Sequence, residues 1–348
     1  MGRVGLSHMN KDGSFTGMER KTSRSAVVKY GLFLLKAAVS VALIWFLMQE
    51  IDFDEMRARV LAASPALLAL SAFFYLVQVG WATGRWEAVL NALEAPLGWM
   101  RVFRFTFIGA FFNQTLPTSV GGDAVKMILA NREGVRLTTS LNSVLLERVV
   151  TAVTLVPVVL VTLPFLLPRV DYDTGLWIIG GLALMTAGAF VGLTVLMLLD
   201  RLPINFGRWR VLQAMSILSR DTRTLFLVPA NLWRVFIWGV ICHINLTIVA
   251  YVIALALKAE VSFVDSLALV PPVLMVTILP ISIAGWGVRE GAMVAAFAMI
   301  GVPAETSLTL SILFGLVGIV TALPGGGIWI FHSGSIRGNL KKADTLSR

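Results

Sequence analysis

Apolar residues in this chain fall in long blocks separated by short polar and basic stretches. Blocks at 31–48, 66–84, 141–167, 176–199, 235–257 and 308–331 approach or exceed the roughly 20 residues that a helix needs to cross a hydrocarbon layer. They predict six transmembrane helices. Two further regions break the pattern. Residues 102–116 and 122–131 are short apolar pieces on either side of a polar, glycine-rich break, and residues 266–280 and 288–302 form a second such pair. None of these pieces makes a comfortable span, so each pair predicts a re-entrant helical hairpin.

The two breaks are copies of one another. Leu116-Pro-Thr-Ser-Val-Gly-Gly-Asp-Ala-Val-Lys-Met127 and Leu279-Pro-Ile-Ser-Ile-Ala-Gly-Trp-Gly-Val-Arg-Glu290 share Leu, Pro, Ser, Gly and Val at matching positions, and Lys126 matches Arg289. Glycine- and proline-interrupted segments at corresponding places in two halves of a membrane chain point to a transport site.

Basic residues fix the expected path. With both pairs as hairpins, one face receives the tail before residue 30, then Arg85, Arg101 and Arg104, then Lys126, Arg132 and Arg136. The arginines of the 200–234 loop and the basic residues after 332 fall on the same face, and the other receives only Arg57, Arg59, Arg169 and Lys258. Cytoplasmic loops carry such an excess, so both termini are expected in the cytoplasm. Residues 31–167 then read span, span, hairpin, span from the inside, and residues 176–331 read the same from the outside: an inverted repeat. The 200–234 loop is basic and amphipathic, which fits either a helix lying on the cytoplasmic leaflet or an ordinary positive loop. Residues 49–65 predict a short external amphipathic helix. Arg85 and Glu87 read as interface anchors at a span end. Gly325-Gly326-Gly327 after Pro324 reads as a kink.

Composition agrees with an all-α integral membrane protein. Of 348 residues, 57% are hydrophobic and 14% charged, against about 25% charged in soluble domains, and mean hydropathy is +0.81. The net charge of +9 therefore reflects orientation and anionic headgroups; nucleic acid is not an expected partner. Cys242 is the sole cysteine, and His8, His243 and His332 make no ligand spacing, so neither a metal nor another cofactor is expected. The basic stretch before residue 31 lacks a small-residue cleavage site and reads as a retained signal anchor behind a disordered tail. His-Glu-x-x-His, Gly-x-Ser-x-Gly and phosphate-loop motifs are absent.

The breaks carry the candidate chemistry. Non-helical backbone at membrane depth survives only inside protein or beside a wet cavity. After Gly121-Gly122, Asp123 can cap a new half-helix whose N-terminus suits a phosphate, and Lys126 adds a full charge one turn on. In the second copy Gly285 and Gly287 allow the turn, Arg289 offers a bidentate phosphate donor, and Trp286 can pack on an acyl chain or glycerol backbone. The plainer reading is that Asp123 neutralises Lys126, and Glu290 neutralises Arg289. Glu147-Arg148 lies some way into a span, where charge is costly and usually functional; an internal ion pair is the alternative. Asn113 either caps the broken helix or binds the headgroup. Cys242-His243 reads as packing.

Taken together, Asn113-x-x-Leu-Pro-x-x-x-Gly-Gly-Asp-Ala-x-Lys126, Glu147-Arg148 and Leu279-Pro-x-Ser-x-x-Gly-x-Gly-x-Arg-Glu290 resemble the lysylphosphatidylglycerol synthase transmembrane, or flippase-like, family. The resemblance covers roughly residues 30–332. It implies a bacterial inner-membrane protein that moves an anionic, aminoacylated or isoprenoid-linked lipid between leaflets. In the large synthases this region is joined to an aminoacyltransferase domain; only sixteen residues follow 332, so lysyl-lipid synthesis is not expected. Membrane lipids, and enzymes of lipid or glycan synthesis, are the partners it implies. An accessory subunit presenting lipid to a separate transferase is the alternative. Spans rich in Trp and Gly permit a homodimer. The expected organisation is a tail over 1–30, a transmembrane domain over 31–332 and a second tail over 333–348.

Overall fold

A computed structural model describes residues 53–115, 121–201, 210–277 and 285–346. Among these the regular structure is entirely helical: α1 Phe53–Ala62, α2 Pro65–Ala92, α3 Trp99–Thr115, α4 Gly121–Arg132, α5 Leu137–Leu166, α6 Tyr172–Leu198, α7 Arg210–Leu227, α8 Pro229–Ala256, α9 Phe263–Val276, α10 Val288–Ala298 and α11 Ala304–Leu346. Short 3₁₀ turns follow α5 and α6. Five stretches, 65–92, 137–169, 172–201, 229–256 and 304–331, are long and apolar enough to cross a membrane. They correspond to five of the six expected spans. The sixth, 31–48, the tail before it, and the central residues of both breaks (116–120 and 278–284) lie outside the described residues.

α2 starts where Ser64 Oγ accepts a hydrogen bond from the Leu67 N–H (3.5 Å) and Pro65 occupies the first turn, a position where proline's missing donor costs nothing. It runs on to Ala92, so Arg85 lies inside a helix and not at a span end. α8 packs antiparallel to it. The Ser64 N–H meets the Ala256 carbonyl (3.1 Å), the Asn245 amide donates to the Phe74 carbonyl (3.0 Å) and Gln78 Oε1 (2.9 Å), and Trp238 covers Gly84. The glycine lets the indole lie flat on the α2 backbone.

Two short helix pairs fold back on themselves against this frame. α3 and α4 pack through Gly109 and Gly122, and their outer ends meet where Arg101 pairs with Glu133 (3.5 Å) and Leu97 and Val135 share a core cluster. That end adjoins the C-terminal half of α2, through Trp86 and Leu90. α9 begins from a capping box in which Ser262 and Asp265 bond each other's backbone N–H groups. Val261 before α9, Phe297 on α10 and Ala63 before α2 belong to another cluster. The two pairs thus start from opposite ends of α2.

The remaining elements frame this centre. α1 is short, with an exposed Arg59–Glu55 pair (2.6 Å). The described part of the 200–234 stretch, from 210 onward, is mostly helical. It contains α7, whose Leu225 and Phe226 are buried against α2, α5 and α8, and α8 begins at Pro229. Arg223 Nη1 bonds Asp200 Oδ1 (2.8 Å), and the Asn142 amide bonds Asp221 Oδ2 (2.7 Å). α6 is peripheral; Gly175 is its one buried residue. α11 remains helical across Pro324 and the Gly325-Gly326-Gly327 run. Gly325 and Gly326 sit against the Phe107 carbonyl and the Phe111 ring of α3, so the first two of these glycines serve close packing.

Candidate functional site

Membrane helices rarely carry charge inward, so each buried ionic side chain must be matched. α2, α4 and α5 bring five together. α4 starts at Gly121, and its Gly122 N–H is capped by Asn113 Oδ1 from the end of α3 (2.9 Å). A Cβ at Gly122 would collide with the Gly109 carbonyl oxygen; only glycine allows α4 to lie this close to α3. That approach places Asp123 and Lys126 against the N-terminal half of α5. Lys126 Nζ bonds Glu147 Oε2, and Arg148 Nε donates to Asp123 Oδ2 (2.5 Å). Neutralisation therefore crosses between helices: Lys126 and Asp123, one turn apart on α4, are held by neighbouring residues of α5.

Arg85 completes the cluster. Its Nη2 donates to Glu147 Oε1 (3.1 Å), so Glu147 bridges two cations. The adjacent Trp86 is fully buried; its Nε1–H donates to Ser143 Oγ (3.1 Å), and its ring lies 4.3 Å from Lys126 Nζ. A cation over an indole face is stabilised further. Arg85, Asp123, Lys126, Glu147 and Arg148 all face a cavity of about 260 Å³, with Asn113 and Thr106 in its wall. Among the described residues, two buried polar atoms there have no hydrogen-bond partner: Arg85 Nε and Thr106 Oγ1. Thr106 was not singled out from sequence, and Arg85 was read there as an interface anchor at a span end. The signal for Arg85 was its place beside Trp86 within an otherwise apolar helix.

The second motif builds a different arrangement. Gly285 and Gly287 adopt φ of 83° and 85°, which glycine alone reaches cheaply. The Glu290 carboxylate turns back to accept from the Gly287 N–H (2.6 Å) and from Arg289 Nη2 (2.7 Å), while Ser311 Oγ accepts from Arg289 Nε (3.1 Å). Trp286 stacks on the guanidinium, its ring centre 4.8 Å from Cζ. Gly315 of α11 leaves the space that the guanidinium fills. Arg289 faces a second cavity of about 250 Å³ with Tyr75, Gln114, His243, Thr277 and Phe314. Trp286 and Glu290 hold Arg289 but do not line that cavity.

Sequence reasoning expected one site shared by both breaks. Among the described residues two cavities adjoin, each with one motif's cation. Thr151 of α5 lines both. His243 lies beside it, Nε2 against the Thr151 carbonyl (3.0 Å) and Thr154 Oγ1 (3.2 Å). His243 therefore belongs to the cavity wall and not only to packing.

A chain whose described residues are helical, with five apolar helices of spanning length among them and a buried ionic centre, is a multi-pass membrane protein. Its family follows from comparison: the lysylphosphatidylglycerol synthase TM region matches residues 33–325, both motifs included, and the chain belongs to that family. No curated protein matches it.

Proposed function

We propose that this chain is a flippase-like transporter that moves a lipid with an anionic headgroup between the leaflets of a bacterial inner membrane. The observation that carries this reading is the charge of the first cavity. Among the described lining residues three cations, Arg85, Lys126 and Arg148, face two acids, Asp123 and Glu147, so the cavity wall carries a net positive charge. A net charge in a low-dielectric interior is costly. An anion about 4 Å away recovers roughly 4 kcal/mol at an effective dielectric near 20. A phosphodiester supplies one negative charge, and Arg85 Nε and Thr106 Oγ1 supply unfilled donors for its oxygens.

Support comes also from the arrangement of the motifs. Their helix pairs start from opposite ends of α2, as an inverted repeat with hairpins entering from opposite faces requires, and such repeats suit alternating exposure of a midplane site. The bias of basic residues toward one face supports both termini lying in the cytoplasm. Aminoacylated and isoprenoid-linked lipids share the phosphate chemistry and are candidate substrates.

The test is reconstitution of the purified protein into liposomes with fluorescently labelled phosphatidylglycerol. Wild type is expected to move lipid without any added enzyme. Lys126→Ala and Arg289→Ala are expected to abolish movement, and Arg85→Lys, which keeps the charge but removes the Nε–H, to slow it, with membrane insertion intact in all three. Wild-type movement in Lys126→Ala and Arg289→Ala overturns the proposal.

A further inference from the structure

Helix α5 lines three cavities in succession. Glu147 and Arg148 face the charged cavity, and Thr151 and Leu155 the second. One turn further along, Val159 and Leu163 wall a groove of about 200 Å³, completed by Trp177 and Gly181 of α6 and Pro272 of α9. The lining is almost wholly apolar. Its one hydroxyl, on Thr162, is bonded to the Val159 carbonyl (3.0 Å). α9 repeats the order from its other side, with Pro271 and Leu274 at the second cavity and Pro272 at the groove.

Polarity therefore falls along one helix from charged through mixed to apolar. Arg148 to Leu163 is about 22 Å at the α-helical rise. A lipid headgroup with one chain extended across half of a hydrocarbon layer of about 30 Å has that length and that order of chemistry. The groove is also reachable from the bilayer, because α6 is exposed along nearly its whole length. An apolar cavity of about 150 Å³ stays dry and takes up hydrocarbon, and this groove is larger.

We infer that the groove is a tail site: it holds one hydrocarbon chain of the same lipid whose phosphate occupies the charged cavities. This rests on the anionic-lipid reading above. The chain gains little free energy over its place in the bilayer, since lipid tails are as apolar as the groove. Its effect is orientation. A chain laid from Leu155 toward Leu163 points the headgroup to the α5 N-terminus, so the lipid is held in the sense of the leaflet on that side.

Photolabelling tests this directly. The full chain is placed in vesicles containing phosphatidylglycerol with a diazirine at the end of one acyl chain, irradiated, and mapped by peptide mass spectrometry. Labels are expected at Val159, Leu163 and Pro272. A Cβ at Gly181 or Gly180 meets no atom within 4 Å, so both accept a larger side chain; Gly181 lines the groove and Gly180 does not. Gly181→Phe is expected to abolish the groove labels, and Gly180→Phe to leave them. Labels spread evenly over the exposed face of α6, or unchanged in Gly181→Phe, indicate annular lipid and overturn the inference. So does equal labelling by a diazirine diacylglycerol, which has no phosphate. Intact lipid movement in Lys126→Ala and Arg289→Ala overturns the transport reading instead, and leaves these labels unaffected.

Discussion

Glu147 decides the electrostatics of the first cavity because two cations depend on it. Removing one partner of a buried ionic pair typically costs about 3–5 kcal/mol, since the other charge is stranded. Glu147→Gln is expected to destabilise the protein on that scale, and Lys126→Met similarly. The double variant is expected to lose clearly less than the sum of the two, as measured by thermal unfolding in detergent; simple additivity contradicts the pairing. That charge belonged in the interior was legible, since Lys126, Glu147 and Arg148 all fall in or beside apolar runs. Their pairing was not. Sequence spacing suggests partners one turn apart on a helix, whereas the bonds cross from α4 to α5, and which helices adjoin is a property of the bundle. Arg85 was misplaced for a related reason. A span counted by hydropathy ends at its first charge, but the helix does not.

At the scale of elements, glycine is what sets helix proximity. Replacing a mid-helix glycine by alanine ordinarily gains about 0.5–1 kcal/mol. Gly122→Ala and Gly325→Ala are expected to do the reverse, because each Cβ meets a carbonyl oxygen of α3, while Gly327→Ala, which meets nothing within 4 Å, is expected to be neutral or better. Melting temperatures of the three variants rank them. α7 offers a pH test. Burial pushes the Asp221 carboxyl above its usual pKa, against the opposing hydrogen bond from Asn142. A raised carboxylate pKa means that the folded state binds its proton more tightly, so stability grows as pH falls through it. Asp221→Asn should therefore be more stable than wild type at neutral pH, with the gap narrowing on acidification. The sequence showed α7 as amphipathic and basic. It did not show that the apolar side meets α2, α5 and α8, because a helix lying on lipid carries the same pattern.

For the whole molecule, sidedness is the expectation most open to measurement. In a Cys242→Ala background, Glu133→Cys and Glu260→Cys sit at opposite ends of the bundle. An impermeant thiol reagent added to intact cells should label Glu260→Cys, and Glu133→Cys only after permeabilisation; labelling of both from outside removes the inward-facing hairpin. The six-block pattern, the two breaks and the basic bias were all readable because each is a one-dimensional signal of a planar solvent. The division into two cavities was hidden, as it depends on where Thr151 and His243 fall between the motifs. One consequence reaches beyond this molecule. Because α4 and α5 each carry one acid and one cation, and both ion pairs run across between the two helices, none of the four can drift alone without stranding its opposite. Mutation should reach them only as matched changes, and a descendant that has lost one is expected to have lost or reversed the other. That makes this quartet a heritable unit, by which lineages that keep the same ionic centre can be told from those that have abandoned it.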